Sequence, residues 1–464
     1  MGGARPGRRM RVIVIGAGIS GLACAFRLAE RGLDVSVVEE SDRVGGVIAS
    51  EARNGFLFEL GPQSFQLTPG LAELIRGAGI EDRLISAPAR AARYVFAGGR
   101  LHPVPMGPQI LIGGSLLGFG TRVRFLRDLV GRSKPPEREE TLAEFVERKF
   151  GPELLDRLAG PFVSGIYAGD PARLGLRDAF PDLHRWELEQ GSILRGALRA
   201  MRSARRSGRA RPTLSAIRGG NAGLMESLAA KLSGRVSLGT SVESVSRADK
   251  ENGKGFALRV RGAAGTETRM ADRVVMATPA GAAARMVAGL SARLGDLLQR
   301  MEYAPVAVVG TGYRREQVQN RLEGFGFLVA RSERLKLLGT VWMSSLFAGR
   351  AGSGFVNLAS FAGGAADPAT AELAPDEIGD VVEKEMTPIL GITGRPVERV
   401  VNVYRRALPQ YNVGHERLVA GIRAEAERVP GLFLIGNYLD GISTGSCVDL
   451  AFRTAAIVAG QPAA

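Results

Sequence analysis

Three glycines, Gly16, Gly18 and Gly21, stand in a G-x-G-x-x-G pattern directly after the apolar run RVIVI. At a strand-to-helix turn each has its own task. The first permits the tight turn, the second lets a pyrophosphate approach the backbone, and the third lets helix pack on strand. The first N–H groups of the helix, at its partially positive end, then face the phosphates. Glu39 follows Gly21 by 18 residues (39 − 21) and ends the next apolar run. A carboxylate there can take ribose hydroxyls and disfavours a 2′-phosphate. SDRVGG (41–46) then sets an arginine and a glycine pair beside the same site. A second stretch, PFVSGIYAGDP (161–171), places Ser164, Gly165 and Gly169 among large rings. Two readings stay open for it: a helix that ends in a glycine turn, or main chain bared to lie flat against a ligand.

Other chemistries lack their residues. His102, His184 and His415 are scattered, which disfavours a histidine metal site, and no metal is expected. Cys24 and Cys447 form no disulfide framework and suit a reducing compartment. No Ser–His–Asp or paired-carboxylate constellation is recognisable.

These residues need elements to hold them. RVIVIGAGISGLACAFRLAERGLDVSVVEE (11–40) reads as strand, turn, helix and strand, with Val12–Ile15 and Val35–Val38 as buried parallel strands and Gly32 closing the helix. From about 90 to 211 the pattern is helical, and Thr141 with Glu144 forms a capping box. RGALRAMRSARRSGRAR (195–211) holds seven arginines and no acid, half of the net charge of +14. On a helix its Ile193, Leu194, Ala197, Leu198 and Met201 share one face, and Arg195, Arg199, Arg202 and Arg206 the other. Strands return at 235–247, in FALRVRG, at 272–280, and near VAVVGTGY and FVNLASFAG. The chain closes with strand, glycine-rich turn and helix. With 464 residues it is long enough for two or three domains. The longest apolar stretch, 104–120, is short and broken by proline and glycine, so no spanning helix is expected, and the basic N-terminus lacks the apolar segment of a secretory signal.

The glycine motif and SDRVGG, with SVESV (241–245), ATPA (277–280) and GLFLIGN (431–437) in that order, resemble the FAD-containing amine oxidase superfamily. PFVSGIYAGDPARL with AFP (179–181), GFLFELGPQSF (55–65), ALPQYNVGH (407–415) and GNYLDGISTGSCV (436–448) narrow this. Over residues 10 to 460 the chain resembles the oxygen-dependent protoporphyrinogen oxidases. The resemblance implies an α/β fold whose Rossmann-type FAD domain is built from 10–89, 212–281 and 409–464. A helical membrane-binding insert (90–211) and a mixed α+β substrate domain (282–408) complete it. It implies non-covalent FAD held at Gly16, Gly18, Ile19, Ser20, Gly21, Glu39, Glu40, Arg43, Gly45, Gly46, Gly61, Pro62, Val242, Thr278, Gly436, Ile442 and Ser443.

The same resemblance implies oxidation of a porphyrinogen to a porphyrin, with O₂ as acceptor and peroxide as product. Gly165 would set its carbonyl beside flavin and macrocycle, which favours the bared-backbone reading. Arg93 would bind a propionate, as a guanidinium suits a carboxylate. Phe325 and Leu328 would sandwich a pyrrole, and Phe361 would add an apolar wall. One departure from the family is Ser446, where an acid is usual; serine can still cap the last helix. A coproporphyrinogen oxidase, or another flavin amine oxidase or desaturase relative, is the alternative; Arg331, Arg334 and Lys336 would suit the former. The expected setting is cytoplasmic, on the inner face of the cell membrane, with the insert on an anionic surface. A homodimer is allowed. No nucleic-acid partner is expected, since the arginine run has no interleaved aromatic.

Overall fold

The computed structural model describes residues 10–104, 115–206, 213–248 and 255–460. Its first layer is a five-stranded parallel sheet. In order, the strands are Val236–Ser237, β2 (Asp34–Val38), β1 (Arg11–Ile15), Arg273–Met276 and Leu432–Leu434. They come from three distant parts of the chain. β1 and β2 are almost wholly apolar because a parallel sheet is covered on both faces. The first helix, α1 (Ile19–Glu30), buries Leu22, Ala25 and Leu28, and the closing helix Thr444–Val458 packs against it. An antiparallel three-stranded sheet, Ser241–Arg247, Phe256–Gly262 and Gly265–Ala271, adjoins this core.

The second layer is a seven-stranded sheet in the order Glu398–Pro409, Tyr303–Arg314, Phe355–Gly363, Leu337–Val341, Gly326–Val329, Arg93–Ala97 and Arg100–Val104. Helix Pro375–Leu390 covers one face, packing Ile378, Val382 and Met386 on Ala307, Val309 and Leu358. The other face looks toward the first layer: Asn402 Nδ2 donates to Leu60 O at 3.1 Å and Tyr404 Oη to Val47 O at 3.2 Å.

Two expected boundaries move. Residues 93–104 belong to this sheet rather than to a helical insert. Gly98 and Gly99 both have positive φ, +60° and +73°, as a two-residue hairpin turn that matches strand twist demands. Residues 280–301 belong to the nucleotide domain, because Ala283, Val287, Leu294 and Leu298 are buried in the core of the parallel sheet.

The helical part is built on Phe119–Val130, Leu142–Phe150, Pro181–Gln190 and Ile193–Arg206, around Phe125, Leu142, Phe145 and Phe150. The expected capping box is present: Thr141 Oγ1 accepts from Glu144 N and Glu144 Oε2 from Thr141 N. Four charged side chains, Asp128, Glu140, Lys149 and Glu187, are buried here together. Lys149 meets Asp128, and the more exposed Arg148 reaches Glu187 at 2.9 Å and Glu140 at 2.6 Å. Charges removed from water in this way are tolerated only when paired and hydrogen-bonded.

Candidate active site

The glycine motif forms a cradle. A Cβ on Gly21 would stand 1.9 Å from Gly16 O, and one on Gly16 would stand 2.9 Å from Ala277 O, at a φ of +103°. A Cβ on Gly18 would meet nothing within 4 Å, so open space lies where a phosphate must approach. No side chain caps α1 at Gly18, which leaves the first-turn N–H groups around Ile19 and Ser20 to an anion. Thr278 packs on Gly16, and its buried Oγ1 has no partner within the described protein. Glu39 accepts from Ala17 N and from Ser41 Oγ, both at 2.6 Å, and Glu40 is exposed beside it. Gly45 N bonds Ala17 O at 2.8 Å, and Arg43 Nη2 bonds Gly46 O at 2.8 Å, which brings the SDRVGG loop against Gly18. Val242 lies at the bulge of its strand, partly buried on the same core. These features suit a dinucleotide pyrophosphate.

Along the cradle toward the large sheet, Gly61 must be bare: a Cβ would stand 1.9 Å from Val47 O. Pro62 follows, and its carbonyl accepts from Asn221 Nδ2 at 3.1 Å. On the far side come Gly436, then Ile442, packed on the helical core, then Ser443. Ser443, not Ser446, caps the last helix: its Oγ accepts from Ser446 N at 3.0 Å, while the Ser446 hydroxyl pairs with that of Ser443 at 2.7 Å. Burial pushes the Cys24 thiol up to about 12 and that of Cys447 up to about 11, so neither is a thiolate nucleophile.

PFVSGIYAGDP does not end its helix at a glycine. Helix Gly160–Tyr167 ends at Ala168, which takes φ +46° itself, and Gly165 sits within the helix with Phe162 and Ile166 on its exposed face. A Cβ on Gly165 would stand 2.7 Å from Leu328 Cδ2. Leu328 pairs with Gly339, and Gly339 with Phe361, so the three lie in one row of the sheet. Gly339 puts no side chain between Leu328 and Phe361, and Leu328 leans over it: a Cβ there would stand 3.0 Å from Leu328 Cδ2. Arg93, on the neighbouring strand, holds its guanidinium 5.2 Å from the Phe325 ring centre. The structure therefore brings Gly165, Leu328 and Phe361 together, and Arg93 with Phe325, on the sheet face turned to the cradle. Sequence reasoning missed Gly339, Asn402 and Tyr404, whose register partners lie in distant strands.

The arginine helix differs from expectation at one residue. Arg195 donates to the carbonyls of Leu129, Gly131 and Gln190 at 2.6–2.7 Å, so it closes the end of a neighbouring helix. Of the apolar stretch 104–120, residues 105–114 lie outside the described residues, and Leu116 and Leu117 are buried. His102 is structural, bonded to Ser115 Oγ and Ala97 O. Arg331 is paired with Asp170 at 3.2 Å.

Below the Gly160–Tyr167 helix, burial, then the Glu139 and Glu416 carboxylates, push the Asp178 carboxyl from 3.8 up to about 7. Arg417 and Gly414 N also face Glu139, at 3.4 and 3.1 Å. A raised native value means that the folded state holds the proton more tightly, so this contribution is full below about 4 and is lost as pH rises through about 7. Asp178→Asn should therefore raise the melting temperature more at about pH 8 than at about pH 5. Equal changes at both would refute this origin.

The chain matches the family described as flavin containing amine oxidoreductase over residues 19–461. It is 33% identical to protoporphyrinogen oxidase 1, chloroplastic, of Arabidopsis thaliana, across 96% of this chain and 87% of that protein. It is 28% identical to the coproporphyrinogen III oxidase of Bacillus subtilis (strain 168), across 95% and 96%. A crystal structure of a proposed protoporphyrinogen oxidase from Exiguobacterium sp. 255-15 superposes with a TM-score of 0.82, at 25% identity and covering 97% and 99%.

Proposed function

The chain belongs to the flavin-containing amine oxidoreductases and is an FAD-dependent oxidoreductase, and we propose that it oxidises protoporphyrinogen IX to protoporphyrin IX, with O₂ as acceptor and H₂O₂ as product, in heme biosynthesis. The observation that carries this reading is the close approach of the bare Gly165 backbone to the Leu328–Gly339–Phe361 row, on the same sheet as Arg93. Bare backbone beside apolar side chains suits a flat macrocycle, and a guanidinium suits a propionate.

FAD, when bound, accepts hydride from the substrate and passes the electrons to O₂. The chain's own task is positioning and exclusion of water. Gly16, Gly18 and Gly21 give the pyrophosphate its approach, and Glu39 is placed for the ribose. Val47 and Leu60 are bonded to Tyr404 and Asn402 of the large sheet, which sets the cradle beside that sheet. No strong base is needed to draw hydride from an aromatising system, and Gly165, Leu328, Gly339 and Phe361 offer none.

Coproporphyrinogen III is the second reading: relatives named coproporphyrinogen III oxidase match at 27–28% identity, below the 30–34% of five of the plant protoporphyrinogen oxidases. Mass-resolved product analysis with the two porphyrinogens side by side tests the choice. Faster turnover of coproporphyrinogen would overturn the first reading, and flavin that neither substrate bleaches would overturn both.

The proposal extends to an anionic membrane surface on the cytoplasmic side. No described helix is long and apolar enough to cross a membrane. What supports surface binding is Phe119, Leu126 and Val130, exposed on one helix beside exposed Arg124 and Arg127, with Arg199, Arg202 and Arg206 exposed on the helix Ile193–Arg206 that packs against it. Each arginine near anionic lipid contributes about 1 kcal/mol. Flotation with anionic liposomes at low salt should fall sharply when Arg199, Arg202 and Arg206 become Gln. Equal flotation of the variant would remove this helix from the contact.

A further inference from the structure

Two segments that the proposed function uses separately are joined by one short stretch of chain. Tyr411, 4% exposed, donates its hydroxyl to Asn437 O at 2.7 Å and accepts from Gly441 N at 2.8 Å. It thus ties the two ends of the turn that leads into the closing helix. Its ring stacks on His415, with centres 4.0 Å apart and planes at 16°, and packs on Tyr167 at 5.9 Å. The adjacent Gln410 donates to Tyr167 O at 2.9 Å, just where the Gly160–Tyr167 helix ends. Tyr411 O accepts from Gly175 N at 2.8 Å, which fixes the chain beyond that helix. Burial holds His415 down at about 4, so the stacked ring is a neutral imidazole.

We propose that Gln410 and Tyr411 are positioning residues: a strut that sets the distance between the flavin-side turn 437–441 and the helix carrying Gly165. The inference rests on the functional reading above, since it needs the flavin and the macrocycle to lie at these two ends. Both ends are rigidly held, and hydride transfer is steep in donor–acceptor distance. Neither side chain touches a reacting atom, so loss of the strut slows flavin reduction more than it weakens binding.

The test uses FAD-loaded full-length protein. Tyr411→Phe keeps the stack on His415 and Tyr167 and removes only the hydroxyl. Gln410→Leu releases Tyr167 O and leaves the hydroxyl contacts. Each variant should retain FAD and reduce its flavin about tenfold more slowly in anaerobic single turnover with porphyrinogen, with KM changed less than about threefold. Visible circular dichroism of the bound flavin should change in Tyr411→Phe and not in Gln410→Leu, because only the first contacts the flavin-side turn. Wild-type reduction rates in Gln410→Leu overturn the strut, whether or not Tyr411→Phe folds. So does an unchanged dichroism spectrum in a folded Tyr411→Phe. Failure of the wild-type flavin to be reduced by any porphyrinogen would instead overturn the functional reading, and the dichroism arm would still judge the strut.

Discussion

Replacement of Arg350 by methionine is expected to cost about 3–5 kcal/mol of stability at pH 8 and to weaken FAD retention. Arg350 and Glu59 are an ion pair in which each side chain is 1% exposed. The arginine comes from the loop before strand Phe355–Gly363, and the glutamate ends the strand that leads to Gly61. Glu59 also accepts from Asn221 N at 3.0 Å, and Asn221 in turn holds the carbonyls of Pro62 and Gln63. Burial raises the Glu59 carboxyl, and Arg350 opposes that rise without cancelling it. Without the guanidinium a carboxylate is left alone in the interior, and it must either stay charged at great cost or take up a proton. The loss should shrink as pH falls, because protonation then relieves the orphaned charge. Arg350→Met combined with Glu59→Gln should recover most of the stability, since both charges are then gone. Denaturant melts at two pH values read both effects. A penalty independent of pH, or a double variant as weak as the single, would show that the pair is not what joins the two layers.

Gly165→Ala should hold or raise the melting temperature and lower kcat/KM by about a hundredfold. Within a helix, alanine is favoured over glycine by about 1 kcal/mol, so the native glycine is kept at a cost to stability. The added methyl would lie 2.7 Å from Leu328 Cδ2, the movable end of a side chain. The leucine must turn aside, which alters the apolar surface it forms with Phe361. If that displacement is the harm, Leu328→Ala added to Gly165→Ala restores part of the turnover. If the macrocycle itself needs the bare backbone, the double variant stays as slow as the single. Undiminished turnover of Gly165→Ala would mean that neither demand exists.

The nucleotide cradle was legible because its signals are local. A buried parallel strand is an unbroken apolar run, and the three glycines act within one turn. The large sheet was less legible. The hairpin 93–104 did carry a local sign, Gly98–Gly99 between two strand-like runs, which the helical character of the following residues obscured. Its partner strand carried none, because the pairing of Tyr94 with Phe327 leaves no mark in either segment. Arg195 shows the limit of helical periodicity. The helical wheel puts it on the polar face, yet whether such a side chain meets water or three carbonyls depends on what packs alongside. For PFVSGIYAGDP the composition allowed two readings; the helix ends at Ala168 rather than at a glycine, and Gly165 packs on Leu328, from a strand that composition could not place.

The order of strands in the large sheet has a consequence for the newborn chain. The hairpin 93–104 leaves the ribosome early, but Tyr94 pairs with Phe327, 233 residues later (327 − 94). At about 5–20 residues per second the wait is roughly 10–50 s. Over that time Arg93–Ala97 presents an open edge of the kind that recruits wrong partners. α1 waits longer still for the closing helix Thr444–Val458, which is made last. The large sheet has its last strand by Pro409, whereas the parallel-sheet layer still lacks Leu432–Leu434 and the closing helix, so the layer that begins first is completed second.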